Sequence, residues 1–194
     1  MNNNIPSWNS IGILPPVNEF DPVGFGRSPY KTNTIELVDS YAFNNKRASI
    51  LIGFLAFRDR LYKTGMSNGF QWVDGSFTEN IELTESRKPN DIDVVTFFKV
   101  PAGETQLSIM SREIDLFHPA KGDWRKANFL VDAYFQCLDV DPISLVERSV
   151  YWYSMWSHKR DMSWKGFLQV PLSKDDDIQA NALLQQRILG GFNE

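Results

Sequence analysis

Three acidic residues and a glycine-serine pair are the part of this chain best suited to chemistry. Asp91 and Asp93 lie in the string PNDIDVV, Asp132 in FLVDAYF, and Gly75 and Ser76 in QWVDGSF, upstream of all three. Each acid sits in or beside an apolar run, where burying a carboxylate is costly unless a cation or hydrogen bonds compensate it. Side chains alternate across a strand, so Asp91 and Asp93 are expected to project together while Ile92 points away. If the strand bearing Asp132 lies alongside, three carboxylates converge into an all-oxygen site suited to Mg2+ or Mn2+. Gly75 permits close backbone approach, and Ser76, in a turn after a strand, can offer its hydroxyl and N–H to a phosphate oxygen.

The elements that must position these residues follow from apolar pattern and turn residues. Five of the ten prolines fall before residue 34, marking residues 1–33 as an irregular, clasping segment. Thr34 suits the cap of a short helix. The stretch from Phe43 to Tyr62 places Ala48, Leu51, Leu55 and Leu61 near helical spacing, with Gly65 as a stop. Phe70, Trp72 and Val73 read as a strand entering Asp74-Gly75-Ser76, followed by a polar excursion from Thr78 to Asn90. DIDVVTFFKV is the strongest strand signal, residues 104–117 suggest a helix, and Phe129 to Leu138 a further strand. Asp141-Pro142 opens a helix, Phe167 to Leu172 adds a strand, and a last helix runs from Asp177 to Leu189 before Gly190-Gly191. Alternating strands and helices predict an α/β (α+β) fold, a mixed sheet flanked by helices in one domain over 1–194, with residues 70–138 as catalytic core.

Composition narrows the function classes. The 194 residues are 42% hydrophobic, enough for one sizeable core. A formal charge of −4 gives no global attraction to duplex nucleic acid or anionic membrane. No basic-then-apolar leader and no long apolar run occurs, so no membrane insertion is expected and the cytoplasm is the expected compartment. One cysteine, Cys137 in YFQCL, excludes an intramolecular disulfide and reads as a core residue. His118 and His158 lack metal-ligand spacing, which disfavours zinc chemistry.

The order of a strand, a glycine-serine turn, an Asp-x-Asp strand and a later acidic strand resembles the DNA polymerase beta-like nucleotidyltransferase superfamily, in its small, minimal form. WVDGSF and PNDIDVV, with LPPVNEF near the start and KGFLQVPL near the end, are similar to a small bacterial family within it. The resemblance implies the polymerase beta-like fold, with Gly75 and Ser76 holding a nucleoside triphosphate and Asp91, Asp93 and Asp132 as catalytic residues and metal ligands. It implies Mg2+- or Mn2+-dependent transfer of a nucleoside monophosphate to a hydroxyl, with pyrophosphate released. Small members nucleotidylate a protein or RNA in toxin-antitoxin pairs. Others make nucleotide products in antiviral defence, the Hailong nucleotidyltransferase among them, which builds single-stranded DNA oligomers from a protein hydroxyl. The implied partners are therefore a protein or single-stranded nucleic-acid acceptor, an operon-encoded protein and a second copy of the chain. The interval from Ser76 to Asp91 is longer than in many minimal relatives, which leaves open whether Arg87 and Lys88 lie near phosphate.

Structural readings stand beside these. Asp91 and Asp93 also suit a turn cap after Pro89-Asn90, Asp132 an inward acid paired with a lysine or arginine, Ser76 an ordinary turn residue and Asp74 a turn stabiliser. Asp139, Asp141 and Asp175 to Asp177 read as caps and dipole partners. The run His158-Lys159-Arg160, after Trp152, Tyr153 and Trp156, suits a triphosphate or base contact, or solvated charges beside core aromatics. The alternative functions are a catalytically silent nucleotide-binding or antitoxin subunit, and a structural protein whose carboxylates balance internal cations.

Overall fold

A computed structural model describes residues 4–192 of the chain. Along it run the two-residue strand β1 (Tyr30–Lys31), helices α1 (Thr34–Tyr41) and α2 (Asn45–Lys63), strand β2 (Gly69–Asp74), a 3-10 turn (Ser76–Thr78), the short helix α3 (Ile81–Thr84) and strand β3 (Ile92–Phe98). Helices α4 (Gln106–Arg112) and α5 (Ile114–Phe117), a second 3-10 turn (Pro119–Lys121), α6 (Gly122–Phe129), strand β4 (Val131–Cys137), α7 (Pro142–Trp156), β5 (Leu168–Pro171) and α8 (Lys174–Gly190) follow. The strands form one mixed sheet in the order β1-β5-β2-β3-β4. β2 is antiparallel to both β3 and β5, whereas β3 and β4 are parallel. The expected mixed sheet flanked by helices is present.

Strand alternation divides the sheet into an apolar face and a face that carries the chemistry. Val73, Ile92, Val94, Val131, Ala133, Leu168 and Val170 pack with Leu37, Leu51, Phe54, Leu61 and Leu184 of α1, α2 and α8. Buried Cys137 belongs to the same core. On the opposite face Trp72, Val95 and Phe97 are covered by Trp156, with Trp152 and Tyr153 beside it on α7. That second core ends short of the acidic positions, leaving them half-buried at one end of the strands.

Several boundaries differ from the sequence reading. The expected Phe43 to Tyr62 helix begins after Asn44, whose side chain accepts from the Arg47 N–H, and Asn33, not Thr34, caps the helix before it. The polar stretch after Thr78 contains α3, and residues 104–117 break into two short helices at Glu113. Phe129 ends α6, so the strand expected from there starts at Val131, after Leu130 in the left-handed conformation. The last helix starts earlier than expected because Ser173 caps it through Asp176. Within residues 4–33 the only strand is β1; positions 1–3 of the expected irregular segment lie outside the described residues. Among the described residues no helix is long and apolar enough to cross a membrane.

Two fully buried arginines tie α2 to the rest of the protein. Arg58 donates to Asp177 at 2.7 Å, Gln71 at 2.6 Å and the Pro171 carbonyl at 2.7 Å, joining α2, α8 and the sheet. Asp177 is therefore a buried ion-pair partner, not only a charge for the helix dipole. Arg47 donates to the Phe77 and Glu79 carbonyls at 2.6 Å each and pairs with Glu82 at 2.6 Å, fixing the segment after the glycine-serine turn. Removing one partner of a buried pair strands the other, so Arg58→Ala is expected to cost about 3–5 kcal/mol. Exposed Arg87, paired with Glu85, is expected to cost within about 0.5 kcal/mol on the same change. Urea unfolding of both variants checks this, and similar midpoints would contradict it.

Candidate functional site

Sheet register brings the acids together. Asp74 stands opposite Asp93 across β2 and β3, and Asp93 stands opposite Asp132 across β3 and β4. Three carboxylates thus form a row across adjacent strands about 4.8 Å apart, on the face that also carries Trp72, Val95 and Tyr134. Asp91, immediately before β3, adds a fourth. Ligand oxygens of Asp91, Asp93 and Asp132 all lie within 4.8 Å of one another.

Gly75 closes one side of this row. Its φ of 84° favours glycine, and a Cβ there would lie 2.1 Å from an Asp93 carboxylate oxygen. The chain therefore turns directly against Asp93 before Ser76 opens the 3-10 turn. The Thr78 hydroxyl donates to the Gly75 carbonyl at 3.0 Å, the Trp8 indole N–H donates to the Thr78 carbonyl at 2.8 Å, and Arg47 holds the carbonyls on either side. Gly75 and Ser76 thus lie in a braced turn beside the carboxylates.

Cations meet the row from two directions. Lys126, near the end of α6, places its ammonium 2.8 Å from Asp132 and 3.1 Å from Asp91. Hydrogen bonding to Asp132 first, and then to Asp91, holds that ammonium above its ordinary pKa despite partial burial. Lys165, buried, bridges Asp74 and Glu79 at 2.9 Å each. Burial pushes Asp74 up to about 6, and the Lys165 charge, the Lys165 hydrogen bond and the Gly75 N–H oppose that rise. Asp93 has no lysine or arginine within ion-pair distance among the described residues. Burial, then the charges of Asp91, Asp74 and Asp132, push its carboxyl up to about 7, and Lys126 only partly counters them.

Other sequence candidates fall outside this cluster. Lys159 pairs with Glu79 at 3.1 Å and Glu85 at 3.5 Å, so it braces the segment after the turn. Arg87 is spent on Glu85 at the surface. Asp141 caps α7, and Asp139 accepts from the Val100 N–H. Asp74, read as a turn stabiliser, does accept from Thr78 at 3.4 Å, but its main partner is Lys165. The lysine or arginine expected as a partner for Asp132 is Lys126, whereas Lys165 and Glu79 carry no signal in the sequence. Lysines far apart in sequence carry no periodic signal of which acid they will meet, although buried acids did call for some cation.

Beside Asp132 a cavity of about 590 Å³ follows β4, the last strand of the sheet, with Arg125, Lys126, Tyr134, Arg148 and Trp152 on its walls. A model of the family of unknown function DUF6932 matches residues 6–171, a span holding all five strands and every acid of the row. The chain belongs to DUF6932. No curated protein and no solved structure matches the chain. The DUF6932 match ends before α8, so Asp177, the partner of Arg58, lies beyond it.

Two outcomes follow from this geometry. Gly75→Ala forces a left-handed backbone on a residue with a Cβ and drives that Cβ into Asp93, for an expected cost of about 1–2 kcal/mol or more in urea unfolding; unchanged stability would contradict the close packing. Asp93 has a folded pKa of about 7 against an ordinary 3.8, so the folded chain keeps a proton that the unfolded chain releases between those values. Ionisation therefore erodes stability as pH rises through that window. Without added metal, Asp93→Asn should be more stable than the parent, by a margin that grows from pH 4 to pH 7. A margin that is flat or shrinks with pH would contradict the crowding.

Proposed function

We propose that this protein is a Mg2+- or Mn2+-dependent nucleotidyltransferase of the polymerase beta-like kind, moving a nucleoside monophosphate from a nucleoside triphosphate to a hydroxyl. The observation that carries the reading is the convergence of Asp91, Asp93 and Asp132 within 4.8 Å beside the Gly75-Ser76 turn. The strand directions support it as well: the glycine-serine strand runs antiparallel to the Asp-x-Asp strand, which is parallel to the third acidic strand.

The residues fit a hard divalent cation. All three donors are carboxylate oxygens, Asp93 lacks a cationic partner, and the Lys126 ammonium already bridges two of the three acids. Its side chain is 42% exposed and can swing aside when a stronger cation arrives. When bound, the metal supplies charge neutralisation and polarisation of phosphate oxygens.

The chain's own residues bind, orient and accept a proton. Gly75 and Ser76 offer backbone and hydroxyl donors to the triphosphate, and the Arg47 brace keeps them in place. Asp132, which lines the cavity along β4, faces the entering acceptor and takes its hydroxyl proton. The acceptor oxygen then bonds to the α-phosphorus while the bond from that phosphorus to the pyrophosphate oxygen breaks, and pyrophosphate leaves with the electron pair.

A second reading has its own observation. The Lys126 ammonium pairs with both Asp91 and Asp132, as a catalytically silent nucleotide-binding or antitoxin subunit would arrange it. Incubation with α-phosphate-labelled nucleoside triphosphates and Mg2+ or Mn2+, followed by separation of protein and nucleic-acid products, divides the two. Label is expected to enter a protein or nucleic-acid acceptor, and Asp91→Ala with Asp93→Ala is expected to reduce it to background while leaving the protein folded. Nucleotide binding without incorporation for every nucleotide and acceptor would favour the silent subunit, and transfer that survives the double substitution would place the site elsewhere.

A further inference from the structure

Arg125 is the buried guanidinium that the fold leaves without an acid. Arg47 and Arg58 each meet a carboxylate, whereas Arg125, 3% exposed, has no ion pair among the described residues. Its Nη1 donates to the Leu116 and His118 carbonyls at 3.1 and 2.9 Å, and its buried Nε has no partner. Burial of an uncompensated cation is costly, and a planar guanidinium with donors to spare suits a phosphate or carboxylate. Arg125 lies on the wall of the cavity along β4. Exposed Arg148, also without an ion pair among the described residues, is a further lining residue of that cavity.

Aromatic rings complete the cavity. Tyr134 is 43% exposed and lies against Trp152, with ring centroids 5.1 Å apart. Tyr134 is two positions beyond Asp132 on the same strand face, about 6–7 Å along the strand. The lining of the cavity therefore combines Asp132 of the acid row, an aromatic pair and two arginines. Its carboxylates are Asp132, which is engaged by Lys126, and Asp123.

We propose that this groove binds the end of a single-stranded nucleic acid, with phosphodiesters on Arg125 and Arg148, a base against Tyr134 and Trp152, and the terminal hydroxyl turned toward Asp132. Stacking rings combined with guanidinium groups distinguish such a strand from an acidic peptide, which has charge but no base to stack. A net charge of −4 gives the protein no global attraction to a duplex. The fate of the hydroxyl rests on the nucleotidyl-transfer reading; the binding of the strand does not.

The test uses the full chain and fluorescein-labelled DNA and RNA strands of about ten nucleotides, followed by anisotropy in EDTA at low and moderate salt. Both or one of the strands should bind, with affinity falling as salt rises. Arg148→Ala combined with Tyr134→Ala, both at exposed positions, should weaken binding by about tenfold or more while leaving the thermal midpoint near that of the parent. Arg125→Gln should also weaken binding, and the surface pair keeps the test decisive if that variant does not fold. No binding at low salt, binding indifferent to the surface double variant, or preferential binding of a polyglutamate peptide would overturn the proposal. A strand held in this groove by a protein that incorporates no label would support the groove and overturn nucleotidyl transfer alone.

Discussion

Like charges held side by side by sheet register are the constraint on which this molecule turns. The pairing of β2 with β3 and of β3 with β4 puts Asp74, Asp93 and Asp132 in one row, and Asp91 joins them from the strand entrance. A one-residue slip would turn every one of these side chains to the apolar face, so the same hydrogen bonds that build the sheet also fix the crowding. Lys165 answers Asp74 and Lys126 answers Asp91 and Asp132. Asp93, in the middle, is left with the greatest pressure to take up a proton or a cation. A carboxylate crowded by like charges stays where it is only when its surroundings hold it in place.

The surroundings are built for that. The apolar face of the sheet is sealed by α1, α2 and α8, and Arg58 locks α2 and α8 to β2 and β5 from inside. Arg47 does the same for the chain that follows Gly75, so the turn against Asp93 is anchored to the longest helix. On the other face the aromatic core of Trp72, Phe97, Trp156 and Phe167 fills the centre and stops before the acids. Rigidity is thus concentrated behind and beside the row, while the cavity along β4 opens next to Asp132.

The sequence made much of this legible where one strand or one turn carried the information. Alternation in DIDVV announced that Asp91 and Asp93 share a direction, and Gly75 followed by Ser76 announced a tight turn. The pairing of Asp132 with Asp93 needed a parallel strand separated by three helices, which local pattern cannot register. Helix ends depart from the apolar spacing because side-chain caps such as Asn33, Asn44 and Ser173 set them, and α6 gives no apolar signal because Gly122 to Phe129 buries only Arg125. Asp132 calls for a lysine or arginine, but which lysine meets which acid is not legible: Lys126 and Lys165 reach their partners only through tertiary structure, and in sequence they look like ordinary surface charges.

We propose that the acid row takes a divalent cation and that the Lys126 ammonium holds its place until one binds. The most direct measurement is a crystal structure of the protein grown with Mn2+ and a non-hydrolysable nucleoside triphosphate, with anomalous data collected for manganese. The expected result is anomalous density among Asp91, Asp93 and Asp132, with phosphate oxygens at the Gly75-Ser76 turn and the Lys126 ammonium displaced. Lys126 still bridging Asp91 and Asp132, with no manganese between the carboxylates at saturating concentration, would contradict it.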